Sequence, residues 1–453
     1  MKSTALFSFV IASILLPFTP RAFATARPTK AQPRVLTLKA AAEKALRLNP
    51  QLGEKEEHIN QMEAQIPITR SQLLPNIKLT ATESRAKGAL LYPLSLFNGN
   101  PYNQYETTLS LTQPLFAIGS ISAIHAARLD RNISQLDAQI DRRNLLSQLI
   151  QAYFQVVMTT RNKQILQQQF KILKESFQTA VHRARIGRSQ LLDALQTKTQ
   201  LALLDSQIAN ATSQYEVAVA QLANVIGEPK LTNFEMKNSL KVPSLKSVDQ
   251  MIQPSLKNHT YQLPELRENT LNAEKVADQK EEMLGENLPS LEFVGSYGEL
   301  SYKKSDLFTG PAQEWNIGLQ LNVPLFSGLS TLYQLRSYAS QERQLDIDRQ
   351  NIENQMTLQQ VSARKTLQSA ARSILSGEAA LKLARASSDE ARRDYRYATI
   401  DVLQFLQVQT SYMQAESALN TYKYNYLVAL ANYYVANGQP MMNLINLLEE
   451  INK

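Results

Sequence analysis

Few side chains in this sequence have the type and spacing that chemistry requires. Cysteine is absent. That excludes disulfides, thiolate-held zinc, iron–sulfur clusters, a thiol nucleophile and a lipidated N-terminal cysteine. The histidines His58, His125, His182 and His259 are scattered. None has a second histidine four residues on, the spacing that turns two imidazoles toward one metal. Serine and aspartate are plentiful, but no nucleophile-elbow, Walker A or glycine-rich dinucleotide motif holds them. The chain therefore reads as a non-enzyme, with no catalytic residue, no metal site and no cofactor. Two short stretches stand out instead. Arg185-Ile186-Gly187-Arg188-Ser189 pairs a glycine suited to a left-handed turn with guanidinium donors for carboxylates or backbone carbonyls, which suits docking of a protein partner. In Ala398-Thr399-Ile400-Asp401-Val402-Leu403 an aspartate stands where a helix restarts, a position that favours a carboxylate cap.

Both stretches interrupt very long helices. No Gly or Pro occurs from Ser120 to Ile186 or from Arg188 to Ile226, and Leu329 to Asn437 contains one Gly, Gly377, and no Pro. The first run could extend about 100 Å at 1.5 Å per residue. Apolar residues keep a 3,4 spacing, as in Leu201, Leu204, Ile208, Ala211, Tyr215 and Ala218, and again in Tyr412, Ala415, Leu419, Tyr422, Tyr426 and Ala429. Heptads of this kind make coiled-coil seams.

Ahead of each helical block the period changes to two. Trp315, Ile317, Leu319, Leu321 and Val323 alternate with Asn316, Gly318, Gln320 and Asn322, and Thr107, Leu109 and Leu111 alternate more weakly with polar neighbours. That is a strand with one apolar and one polar face. Partner strands begin at Leu74-Pro75-Asn76-Ile77 and Leu288-Pro289-Ser290-Leu291. Tyr92, Tyr102, Tyr105, Tyr297, Tyr302 and Trp315 lie near strand ends, where an aromatic girdle would sit.

The chain is two copies of one plan: helix, strand, loop, strand, long helix, turn, long helix. Pro114-Leu115-Phe116 before Gly119 matches Pro324-Leu325-Phe326 before Gly328, and Leu222-Ala223-Asn224 matches Leu430-Ala431-Asn432. Duplication of a whole unit explains this better than a solenoid. The organisation reads as a signal peptide at 1–24; a first repeat at 25–228 (strands ~73–84 and ~105–116, helices ~119–186 and ~190–226); a linker or equatorial region at 229–262; a second repeat at 263–437 (strands ~289–300 and ~314–325, helices ~329–394 and ~402–436); and a C-terminal tail at 438–453.

The first 24 residues carry the export signal: Lys2, an apolar run from Leu6 to Leu16, and Ala22-Phe23-Ala24 before Thr25. No later segment approaches the ~20 apolar residues of a spanning helix. A chain of this kind crosses a membrane only as a barrel, and because the smallest transmembrane barrels use about eight strands, four strands per chain demand an oligomer. Lys+Arg 48 against Asp+Glu 40 gives a formal charge of +8, dispersed without a basic run, so no nucleic-acid partner is expected.

With the Leu-Pro strand starts, the two Pro-Leu-Phe junctions, the tip Arg185-Ile186-Gly187-Arg188-Ser189-(x)3-Asp193 and the second tip at 398–403, the sequence resembles the TolC-type outer membrane efflux protein family. The resemblance implies a mixed α and β fold: a trimeric 12-stranded outer-membrane β-barrel, four strands per protomer, continuous with a long α-helical coiled-coil periplasmic barrel. It implies an outer membrane channel of a tripartite efflux or type I secretion system, a passive duct for drugs, small molecules or proteins. Its partners would be two further copies, a periplasmic adaptor (membrane fusion) protein, an inner-membrane pump or ABC exporter, and outer membrane lipid. It would reside in the outer membrane of a Gram-negative bacterium and extend into the periplasm. It also implies residue roles: Asp401 and Gln404 at the pore constriction, Gln404 replacing a second aspartate; Asp193 latched by Arg392 and Tyr397; Arg185, Gly187, Arg188 and Ser189 docking the adaptor. The second tip lacks the usual glycine, with Tyr395 at its aligned position. The alternative reading is a secreted coiled-coil structural or adhesive protein without a pore.

Overall fold

The computed structural model describes residues 34–87, 101–187, 190–229, 234–235, 241–243, 263–304 and 313–452. The signal segment at 1–24 and most of the linker at 229–262 lie outside the described residues. The elements run β1 (Arg34–Val35), α1 (Leu38–Leu48), α2 (Pro50–Ser71), β2 (Asn76–Ala86), β3 (Tyr102–Phe116), α3 (Ile118–Arg185), α4 (Leu191–Ile226), β4 (Phe234–Glu235), α5 (Pro264–Glu286), β5 (Ser290–Ser301), β6 (Gln313–Asn322), α6 (Ser330–Tyr397), α7 (Val402–Ala436) and α8 (Met441–Asn452). The order helix, strand, strand, long helix, helix thus occurs twice. The long helices α3 and α6 have 68 residues each, and their returning partners α4 and α7 have 36 and 35.

Helical periodicity explains the hairpins. On α7 every seventh residue, Leu419, Tyr426 and Tyr433, is buried, and on α4 the same holds for Leu204, Ala211 and Ala218. The largest core lies where both hairpins meet α1 and α8, around Leu149, Ile150, Phe154, Leu222, Tyr426 and Leu444. Residues 438–453, read from the sequence as a C-terminal tail, therefore hold a packed helix. Leu444, Ile445 and Leu448 of α8 have no exposed surface, because they close the core between α1, α3 and α7. The linker region contributes β4, which pairs in parallel with β1.

Four strands form one antiparallel sheet in the order β2-β3-β5-β6. The register brings Leu79, Leu109, Tyr297 and Trp315 into one row, and Ile77, Leu111, Gly295 and Ile317 into the next. Because side chains alternate faces, these apolar rows share one side, while Lys78, Ser110, Ser296 and Asn316 share the other. The apolar side is bare: Trp315 is 72% exposed and Leu319 65%. β2 and β6 are both edges. The strand expected at ~314–325 ends at Asn322, and Val323 to Ser327 has no ladder partner.

Sheet and helices join at a close crossing. A Cβ on Gly119 would stand 2.7 Å from the carbonyl oxygen of Glu282, and one on Gly285 would collide with the backbone of Gly119. Only glycine permits this approach of α3 to α5. Below it, polar contacts staple the two helices: His125 to Asp278 at 2.5 Å, Lys275 to Asp130 at 2.6 Å, and Arg143 to Glu265. No described helix is long and apolar enough to cross a membrane.

Candidate functional site

The two hairpin turns lie side by side at the end of the molecule far from the sheet. The first is the α3–α4 turn. Gly187 takes φ +73° with no atom within 4 Å of a Cβ built on it, so glycine is required by the backbone alone. Arg185 is exposed at the end of α3, whereas Arg188 and Ser189 lie outside the described residues. Asp193 sits in the first turn of α4, half-buried, where a carboxylate complements the helix N-terminus.

The second turn closes without a glycine. Ala398, three residues after the aligned Tyr395, carries the left-handed conformation at φ 62°. It is fixed by the N–H of Thr399 donating to the carbonyl oxygen of Asp394 at 3.0 Å, with the Thr399 hydroxyl donating to the same oxygen. Two satisfied contacts on one carbonyl offset the cost of that conformation for alanine, about 1–2 kcal/mol. The next helix opens at Asp401, whose Oδ1 accepts the Gln404 N–H at 2.7 Å. The aspartate is thus a helix cap. Asp401 and Gln404 are both exposed and, three residues apart, share one face of the first turn of α7.

The turns are joined by residues other than those the resemblance implied. Among the described residues no hydrogen bond or ion pair links Asp193 to Arg392 or Tyr397. Tyr397 is 78% exposed, and the buried Nε of Arg392 has no hydrogen-bond partner. The contact is made by Arg183 of α3, whose Nη2 donates to the carbonyl oxygen of Arg396 at 2.7 Å, while its guanidinium lies 5.2 Å from the ring centroid of Tyr395. Tyr395 is stacked on Phe405 at 4.6 Å, and Leu173, Leu204 and Leu406 complete an apolar cluster shared by both hairpins. Burial pushes the Tyr395 phenol up; Arg183 opposes this and Asp193 adds to it, which puts both charges within electrostatic reach of the ring. The four-residue step from Ala391 to Tyr395 before the turn and the three-residue step from Val402 to Phe405 after it are the sequence signal for the cluster. Arg183 carried none, being one of three basic residues in the last turn of α3.

Two more polar ties hold the hairpins together away from the tips. Asn420 donates to the Met158 carbonyl at 2.9 Å and to Asn162 Oδ1 at 2.7 Å, and Arg161 pairs with Glu416 at 2.8 Å. Within the second hairpin, Gln409 Nε2 donates to the Ser388 hydroxyl at 3.0 Å in a buried seam. Among the described residues the site is built of turns and helix ends. It is the end of a helical bundle whose turn conformations and charges are fixed.

The profile of the family described as "Outer membrane efflux protein" matches residues 41–228. The alkaline protease secretion protein AprF of Pseudomonas aeruginosa is 24% identical over 343 residues, covering 73% of this chain and 69% of AprF. The outer membrane protein TolC of Escherichia coli is 21% identical over 422 residues, covering 89% of this chain and 83% of TolC. The CmeC outer membrane channel of Campylobacter jejuni superposes with a TM-score of 0.74 at 19% identity, over 91% of this chain and 89% of CmeC. Over residues 41–228 the chain is similar to the outer membrane efflux protein family. The matched profile holds the first tip with Gly187 and Asp193, whereas Arg392, Tyr397 and Asp401 lie beyond it. The contact through Arg183 therefore joins a tip inside the profile to one outside it.

Proposed function

We propose that this protein is a member of the outer membrane efflux family and the outer membrane channel of a tripartite efflux or type I secretion system, a passive duct that takes cargo from a periplasmic adaptor and an inner-membrane pump or ABC exporter to the outside. One observation carries the reading: a four-stranded sheet with a continuous bare apolar face and two open edges stands above helices of 68 residues. An apolar sheet face suits lipid, but an open edge in lipid leaves backbone groups unpaired at a cost of several kcal/mol each. A homotrimer removes every edge by closing a 12-stranded barrel, and it continues the helices, about 100 Å long, as a tunnel across the periplasm. A secreted coiled coil without a pore has no use for that face.

In this reading the tips face the adaptor, with Arg185, Gly187, Arg188 and Ser189 as the docking turn. Asp401 would recur three times around the axis and attract cations at the entrance, with Gln404 giving a single charged ring. Asp193 would act as a latch through the adjoining Tyr395 or through Arg392 and Tyr397 once copies assemble. The experiment is outer-membrane fractionation with heat-modifiable migration, repeated for Leu319→Arg. A charge on the lipid face at midplane depth costs about 2–4 kcal/mol per site, so the variant should lose assembled trimer. A wild-type chain recovered as a soluble rod would overturn the proposal.

A further inference from the structure

The two hairpins of the sheet match residue for residue. Asn76 opposite Thr112 in the first corresponds to Ser290 opposite Asn322 in the second, and Ile77 opposite Leu111 corresponds to Leu291 opposite Leu321. Each residue of β2 therefore has a counterpart in β5, and Asn103 to Thr112 of β3 have counterparts in β6. Inside the chain the seam between the hairpins is β3 against β5. The equivalent seam would join β6 to β2, which are instead the two open edges.

Resting on the trimeric reading above, we infer that β6 of one copy pairs with β2 of the next in the register of the β3–β5 seam. Ser110 opposite Ser296 becomes Gln320 opposite Thr82 of the next copy; Leu111 opposite Gly295 becomes Leu321 opposite Ala81; Thr108 opposite Gly298 becomes Gly318 opposite Ser84. Three observations support this register. It keeps the faces consistent, since Leu321 and Ala81 both belong to the apolar side and Gln320 and Thr82 to the polar side. It keeps a glycine at the tight position: a Cβ on Gly298 would stand 2.9 Å from the Thr108 hydroxyl, and in the new seam the pair again has one member without a side chain, Gly318, opposite Ser84. It also explains why β6 is shorter than its counterpart. β3 continues through Pro114 to Phe116 on its ladder with β5, across a register shift, whereas Val323 to Phe326 has no partner and leaves Leu325 92% exposed. Pairing with Ile77 to Leu79 of the next copy extends β6 through that segment. Below the barrel the same correspondence sets Gly328, which has open space around it, against the exposed Ser71, as Gly119 is set against Gly285.

The natural absence of cysteine makes the test direct. Double variants Gln320→Cys/Thr82→Cys and Leu321→Cys/Ala81→Cys sample the two alternating kinds of opposed pair, whose Cβ atoms approach to about 4.5–5.5 Å. The shifted control Gln320→Cys/Ser84→Cys places its thiols on the diagonal, about 7–8 Å apart and beyond disulfide reach. Oxidation of outer-membrane trimers should convert monomer to covalent dimer and trimer bands, reversed by reductant, in at least one in-register pair and not in the shifted pair. Trimers that crosslink only through the shifted pair would overturn the register and leave the trimer standing. Absence of trimer from wild-type chain and single-cysteine variants alike would overturn the trimeric reading and this register with it.

Discussion

Arg183 and Tyr395 are the point where the two hairpins of one chain touch at their tips. The guanidinium covers the phenol ring at 5.2 Å and reaches past it to the carbonyl of Arg396, at the negative end of α6. A cation is favoured there by both the ring and the helix terminus.

Removing that cation should loosen the tips without touching the barrel. Arg183→Ala is expected to cost the contact about 1–2 kcal/mol, because the site is partly exposed. The measurement is single-channel conductance in planar bilayers, which should rise, with trimer yield unchanged. Conductance equal to wild type would show that the tips are held by other contacts.

Asp401 separates two roles through one substitution. Its Oδ1 caps α7, a function asparagine retains, while its charge is what a pore ring would use. Asp401→Asn should keep helix stability and lower cation selectivity; Asp401→Ala should lose selectivity and roughly 0.5–2 kcal/mol of cap as well. Reversal-potential recordings decide the matter. Unchanged selectivity in Asp401→Asn leaves Asp401 as a cap only.

The two turns respond oppositely to a change at their left-handed residue. Ala398→Gly removes a strained conformation and should slow hydrogen exchange around Asp394–Thr399 by stabilising the turn about 1 kcal/mol. Gly187→Val meets no neighbouring atom, so its cost is backbone strain of about 1–2 kcal/mol confined to the tip. That variant should assemble normally and fail to export. Export at the wild-type level would remove this turn from adaptor docking.

Alkaline pH should act on the core through Tyr153. Its hydroxyl donates to the Leu36 carbonyl at 3.1 Å, and burial, with a smaller contribution from Glu449, pushes the phenol up to about 12. A raised folded-state value means that the protonated form supports the fold. Its contribution is complete below the ordinary tyrosine value near 10 and is lost as pH rises through about 12, a change of roughly 2–3 kcal/mol. Against Tyr153→Phe, the wild type should be more stable at neutral pH by about 1 kcal/mol and lose that lead between these values. Parallel unfolding profiles across the range would contradict this role.

What the sequence alone determined follows from short-range periodicity. The alternation from Trp315 to Val323 specifies a strand with an apolar face, the 3,4 spacing of Leu419, Tyr422 and Tyr426 specifies a helical seam, and the absence of Gly and Pro specifies length; each is a property of neighbouring residues. What only the tertiary structure decided depends on which surfaces meet. Met441 to Asn452 looked like a tail because its apolar face has no local partner, and it became a core helix when α1, α3 and α7 presented one. Ala398 took the turn conformation because the Asp394 carbonyl accepts two donors there. Arg183, rather than Arg392 or Tyr397, joins the tips, since the relative rotation of α3 and α6 sets which cation reaches the ring, and that rotation is fixed by the packing of Leu173, Leu204 and Phe405 across elements far apart in sequence.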